Sequence, residues 1–231
     1  MPSMPHRRKL TGTFVAALAA LACAAAPASA KIAEIGTVSG ARPTCPQQDD
    51  QTCLALSRTT GYQVRVGDDR GPYRIPRDGK IVAWTVKLGD PSADEIDFFE
   101  NQSGFGEASA GITILRTGTK KYARVVAESP VVRLEPYFGR KVQFPLDRAL
   151  TVEKGWVVAL TVPTWAPVLT PLLEDGSGWR ASRPRDGCSD VSRQTAQTDM
   201  SDLTRYQCRY AARLAYSATF INTPRENEDG D

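Results

Sequence analysis

Two tryptophans, Trp165 and Trp179, stand in an irregular stretch between Pro163 and Cys188, with Arg180, Arg183 and Arg185 close behind the second. Pro163, Pro167, Pro171 and Pro184 punctuate the stretch, as do Gly176, Gly178 and Gly187. Long irregular segments inside compact domains are commonly binding loops. An indole exposed there can stack on the flat apolar face of a sugar or on an aromatic ligand. A neighbouring guanidinium can pair with a carboxylate or phosphate. Trp165, Trp179, Arg180 and Arg183 are therefore the candidate contact surface, for carbohydrate or a cell-envelope polymer. The competing reading folds both indoles back as lids on an open core, since large aromatics are mostly buried.

Carboxylates are the second source of chemistry. Asp94, Glu95, Asp97 and Glu100 cluster within a few residues, and Asp68 and Asp69 sit in a turn. Two facing carboxyls can act as acid and base in glycoside cleavage without a histidine. An extracellular, glycosidase-like hydrolase is thus the alternative to a non-enzymatic binding or structural module. Carboxylates with backbone carbonyls also hold Ca²⁺, but no Asp-x-Asp-x-Asp-Gly loop is present, and no metal or cofactor site is expected. Acids at a helix start are expected anyway, because they oppose the N-terminal dipole. The small-residue run Ser103–Gly111 lacks the Gly-Lys-Ser/Thr ending of a phosphate loop. It also lacks a glycine two places before Ser109, so it is no nucleophile elbow.

Residues 1–30 read as a secretory leader: Arg7, Arg8 and Lys9, an apolar run from Phe14 to Ala26, then Ala28-Ser29-Ala30. The apolar run is too short and too alanine-rich for a spanning helix, which needs about 20 residues. Removal of the leader leaves 201 residues and takes away the lone histidine, His6, together with three basic residues, so the formal charge falls from +3 to zero. A chain without histidine cannot build a Ser-His-Asp or Cys-His pair, nor a His-ligated metal site. A balanced charge argues against a nucleic-acid partner. Cys45, Cys53, Cys188 and Cys208 remain, an even number suited to an oxidising compartment. Of three possible connectivities, Cys45–Cys53 and Cys188–Cys208 are favoured, each being local and bracketed by turn residues.

The elements that must position these residues read as short strands. Tyr62–Val66, Ile81–Leu88, Ile112–Arg116, Ala123–Ala127, Val142–Phe144 and Trp156–Val162 alternate apolar and polar residues between Gly, Pro and Asp. Val82, Trp84, Val86 and Leu88 are expected on one buried face. A short helix is expected near residues 93–101, where Ser92 and Glu95 have capping-box spacing; Ile96, Phe99 and Phe98 would fasten it to a sheet. From Tyr206 to Phe220 the chain reads as one long strand with a bend near Ala211–Ala212, its outer face carrying a basic line of Arg205, Arg209 and Arg213.

Gly79-x-Ile81-x-x-Trp84, then Ile112-x-Ile114-Leu115, then Val152-x-x-Gly155-x-Val157-x-Ala159-Leu160 occur in that order. Over residues 60–165 this resembles exported bacterial β-sandwich domains of jelly-roll type, whose function is uncharacterised. The resemblance implies a fold and carries no site residues. The expected architecture is all-β: an antiparallel two-sheet sandwich of jelly-roll type. Residues 31–224 form one domain, followed by a solvated acidic tail at 225–231. The expected partner is extracellular carbohydrate or envelope polymer, and the expected location is secreted or in the cell envelope.

Overall fold

The computed structural model describes residues 1, 30–45, 52–171, 175–183, 187–189 and 195–223. Residues 2–29 of the leader and the acidic tail at 225–231 therefore lie outside the described residues, as do Pro184 and Arg185. In chain order the strands are β1 (Ile32–Gly36), β2 (Leu56–Val66), β3 (Asp69–Arg70), β4 (Gly79–Lys87), β5 (Ser109–Thr117), β6 (Tyr122–Glu128), β7 (Val132–Arg133), β8 (Lys141–Val152), β9 (Val157–Ala166), β10 (Leu169–Pro171), β11 (Gly178–Ala181), β12 (Leu203–Arg205), β13 (Cys208–Tyr210), β14 (Ala212–Leu214) and β15 (Tyr216–Asn222). A four-stranded sheet has the order β1-β15-β4-β8. A larger sheet follows the path β12-β6-β5-β9-β2-β11-β13, with β3 and β7 on its margins, and β10 pairs with β14. The pairings are antiparallel, so the chain is a predominantly antiparallel β fold with several sheets.

One apolar cluster draws from both larger sheets. Ile35, Trp84, Val86, Tyr216 and Phe220 come from the four-stranded sheet, and Leu56, Ile112, Ile114, Leu160 and Val162 from the other. Burial of each such side chain stabilises by about 1.5–3 kcal/mol. Tyr73 and Tyr216 pack within it at 4.4 Å with their rings tilted by 34°, and the Tyr216 hydroxyl donates to Val158 O at 2.9 Å. The opposite face of the larger sheet is also covered. Tyr206 packs there with Leu115, Ala123, Val125 and Ala159. Beside it runs a buried hydroxyl ladder: Thr113 to Thr161 at 2.5 Å, Thr161 to Thr60 at 2.9 Å, and Gln197 N donating to Thr60 Oγ1 at 2.9 Å. Each hydroxyl in it has at least one hydrogen-bond partner within the protein.

Three expectations change at the level of the strands. A register shift between Ile81 and Ala83 flips the alternation of β4, because a bulge inserts one extra residue. Ile81 takes the core position expected for Val82, while Trp84, Val86 and Leu88 keep theirs. The long terminal strand is three pieces, β13, β14 and β15, broken at Ala211 and Ala215, and Tyr206 lies outside all of them. The basic line dissolves accordingly. Arg205 donates from Nε to Lys120 O, Arg209 reaches Gly176 O, and Arg213 is buried with Nη2 on Thr37 O at 2.7 Å.

The helix matches its signal. Ser92 caps α1 (Ala93–Asp97), Glu95 closes the capping box through Ser92 N at 2.7 Å, and the helix runs into a π-turn at Phe98–Gln102. Disulfides join Cys45 to Cys53 and Cys188 to Cys208, with Cα separations of 4.8 and 5.3 Å. No helix among the described residues is long and apolar enough to cross a membrane.

Candidate functional site

The indoles of the expected contact surface are core residues. Trp165 is 0% and Trp179 is 3% exposed. Both lie in strands whose backbones are already paired, β9 against β2 and β11 against both β2 and β13, rather than in an open loop. Trp165 stacks on Phe99 at 4.7 Å, leans on Phe138 at 5.6 Å and donates from Nε1 to Gly106 O at 2.9 Å. It closes one end of the core, as the lid reading holds. Trp179 lies against Tyr210 at 4.9 Å, and Arg183, itself buried, sits 4.7 Å from the Tyr210 ring. Arg180 spends its Nη1 on Tyr206 O and Gln207 O. Neither indole offers its face to a ligand: both are buried, while Arg180 is half-buried beside them.

The acids near α1 divide in two. Asp97 is fully exposed, and the amides of Asn101 and Gln102, at 2.7 and 2.9 Å, hold its carboxyl below the usual range. Glu100 comes within hydrogen-bonding reach of Glu135, a residue that the sequence alone does not single out. Arg133 pairs with Glu135 at 2.6 Å and with Glu107 at 3.1 Å. Burial, then Glu135, raises the Glu100 pKa, while the Arg133 hydrogen bond lowers that of Glu135. The two carboxyls face each other directly, whereas a glycosidase places its pair about 5–9.5 Å apart with the sugar between them.

A test follows from the sign of these shifts. A carboxyl whose pKa rises on folding costs stability once ionised. Glu100→Gln is therefore expected to raise stability at neutral pH, by less than about 1 kcal/mol because solvent screens the pair. The gain should fade as pH falls through the raised Glu100 pKa. Glu135 behaves oppositely, its contribution being lost as pH falls through its lowered pKa. Urea midpoints at neutral and acidic pH check both; an acid-side gain for Glu100→Gln contradicts the assignment.

A groove of about 740 Å³ lies on the four-stranded sheet. Its floor is the polar half of the alternation. Across the strands, Gly36, Ser217, Thr85 and Gln143 stand in one row, Glu34 and Thr219 in the next, and Lys87 directly opposite Lys141 in a third. The floor is ordered: Ser217 and Thr219 donate to the Glu34 carboxylate at 2.9 and 2.5 Å, and Gln143 Nε2 donates to Thr219 at 3.0 Å. Residues 37–40 make the wall. Arg213 holds it through Thr37 O, and Lys87 Nζ reaches Ala41 O at 2.6 Å.

Lys87 against Lys141 is the unusual feature. Like charges directly opposite on neighbouring strands repel, and neither has a carboxylate partner among the described residues. The groove thus offers two cations at one end, a row of hydroxyl and amide groups in the middle, and a carboxylate at the other. The sequence hides these residues because alternating polar positions look like an ordinary solvated face. The only signal is the two lysines at strand ends, which have no meaning until the register is known. Among the described residues no group of three acids or thiols is placed to hold a metal. No protein-family model, no curated protein and no solved structure matches the chain.

Proposed function

We propose that this protein is a secreted, non-enzymatic binding module, a two-sheet sandwich of jelly-roll type that holds an anionic, hydroxyl-rich polymer of the cell envelope. The carrying observation is the Lys87–Lys141 couple, without a described counter-charge, at the end of a groove floored by Ser217, Thr85 and Gln143. Two ammonium groups of this kind suit a carboxylate or phosphate on the ligand. Hydroxyl and amide side chains already fixed by mutual hydrogen bonds suit sugar hydroxyls at low ordering cost. The leader and the two disulfides support an oxidising, extracellular location. Among the described residues Glu34 is the single acid lining the groove, which speaks against a two-carboxylate hydrolase there.

Calorimetric titration with polygalacturonate and with dextran tests the reading. The acidic polymer should bind and the neutral one should not. The double variant Lys87→Gln/Lys141→Gln should weaken binding by about 100-fold or more, since charge-assisted hydrogen bonds contribute about 1.5–3 kcal/mol each. Its stability should not fall, because the substitution also relieves the repulsion. Equal binding of dextran, or an unchanged double variant, overturns the proposal.

A further inference from the structure

A second cavity lies outside the groove, at the β12 edge of the larger sheet. It measures about 360 Å³ and is lined by Lys121, Cys188, Arg205 and Gln207. We propose that it binds a phosphate-type oxyanion.

The turn between β5 and β6 builds one wall. Lys120 and Lys121 stand there consecutively at φ of 52° and 66°. This left-handed region is unfavourable for any residue with a Cβ, and glycine would fill it at less cost. The strained conformation persists because both carbonyls are held: Lys120 O accepts from Arg205 Nε at 3.0 Å, and Lys121 O accepts from Tyr206 N at 2.8 Å. Strain kept at two lysines rather than relieved by glycine points to a use for their side chains.

The opposite wall is equally fixed. Gln207 O accepts from Arg180, the Cys188–Cys208 disulfide ties the next residue to the cavity rim, and Tyr210 donates to Cys188 O at 2.6 Å. Between these walls sit donors without acceptors. Gln207 Nε2 is shielded from solvent and has no hydrogen-bond partner among the described residues. A buried donor of this kind costs about 1–3 kcal/mol unless something accepts from it. Among the described residues neither Lys121 nor Arg205 has a carboxylate partner, and no acid lines the cavity. Arg205 Nε is committed to Lys120 O and its guanidinium lies 5.8 Å from the centre of the Tyr122 ring, while Nη1 and Nη2 have no hydrogen-bond partner among the described residues. Residues bearing an ammonium, a guanidinium and an amide therefore line one small space. Their donors exceed what a halide can use and match the several acceptor oxygens of a phosphate-type group.

The test uses the disulfide-intact protein and sodium phosphate, with sodium chloride at matched ionic strength and sodium acetate as parallel arms. Phosphate should raise the thermal unfolding midpoint saturably, as expected for a ligand that binds only the folded state; chloride should not, and acetate should act only weakly. Lys121→Gln should weaken the phosphate response at least tenfold in concentration. Arg205→Gln and Gln207→Leu should weaken it likewise, while Lys80→Gln on β4 should leave it intact. No saturable phosphate shift overturns the site, as does a Lys121→Gln variant that responds like the parent. Acetate saturating at the same concentration as phosphate overturns the phosphate assignment.

Discussion

Trp165→Ala is expected to destabilise the protein by about 3–5 kcal/mol, the range for removing a large aromatic from a close-packed interior. Trp165 is completely buried, stacked on Phe99, leaning on Phe138 and hydrogen-bonded to Gly106 O. Its removal opens a cavity and also leaves that carbonyl without its donor. Trp179→Ala should cost a comparable amount. Its indole lies so close over Gly61 that a Cβ there would come within 2.7 Å of the ring. Against a total stability of about 5–15 kcal/mol for an ordinary domain, either loss should shift the urea midpoint strongly. Far-UV circular dichroism is the suitable probe, because the fluorophore itself is deleted. Binding of polygalacturonate by the residual folded protein should be unchanged. Variants that keep parental stability but lose the polymer would restore the indoles to a contact surface and displace the groove.

That contrast shows where the sequence is legible. The capping box at Ser92 and Glu95 lies within one turn of chain, so its meaning does not depend on the rest of the fold. The two disulfides are similarly local. Most strands show because apolar residues at period 2 must share a buried face. The bulge at Ile81–Ala83 has no such signature, since Ile, Val and Ala are all acceptable in either phase. Trp165 misleads for a related reason: the prolines around it suggest a loop, yet Pro163 and Pro171 both sit within paired strands. Tyr206 and the Thr113–Thr161–Thr60 ladder escape a sequence reading because they depend on residues 195–206 returning across a sheet face that alternation alone assigns to solvent. The groove is further still from a local signal. Lys87 and Lys141 meet through the pairing of β4 with β8, and the wall at residues 37–40 reaches them only because β1 pairs with the last strand.

Gly36→Ala carries the other large expected loss, about 2–6 kcal/mol. Gly36 ends β1 at φ +75°, where any Cβ adds about 1–3 kcal/mol of backbone strain. The Cβ would also stand 2.2 Å from Tyr73 Cζ. That ring cannot withdraw: it is fully buried against Tyr216, and its hydroxyl donates to Tyr216 O. Overpacking of this kind costs a further 1–3 kcal/mol, roughly. Gly71 separates the two contributions, because it has nearly the same φ, +71°, with nothing within 4 Å of a Cβ. Gly71→Ala should show the strain alone, and the excess for Gly36→Ala measures the clash. Combining Gly36→Ala with Tyr73→Ala should then be markedly non-additive, since the second change removes what the first strikes. Gly36 also stands opposite Ser217 in the groove floor and leads directly into the Thr37–Gly40 wall. Gly36→Ala should therefore weaken polygalacturonate binding in the molecules that remain folded, whereas Gly71→Ala should not. Equal stability losses at the two glycines would mean that Tyr73 does not pack beneath β1.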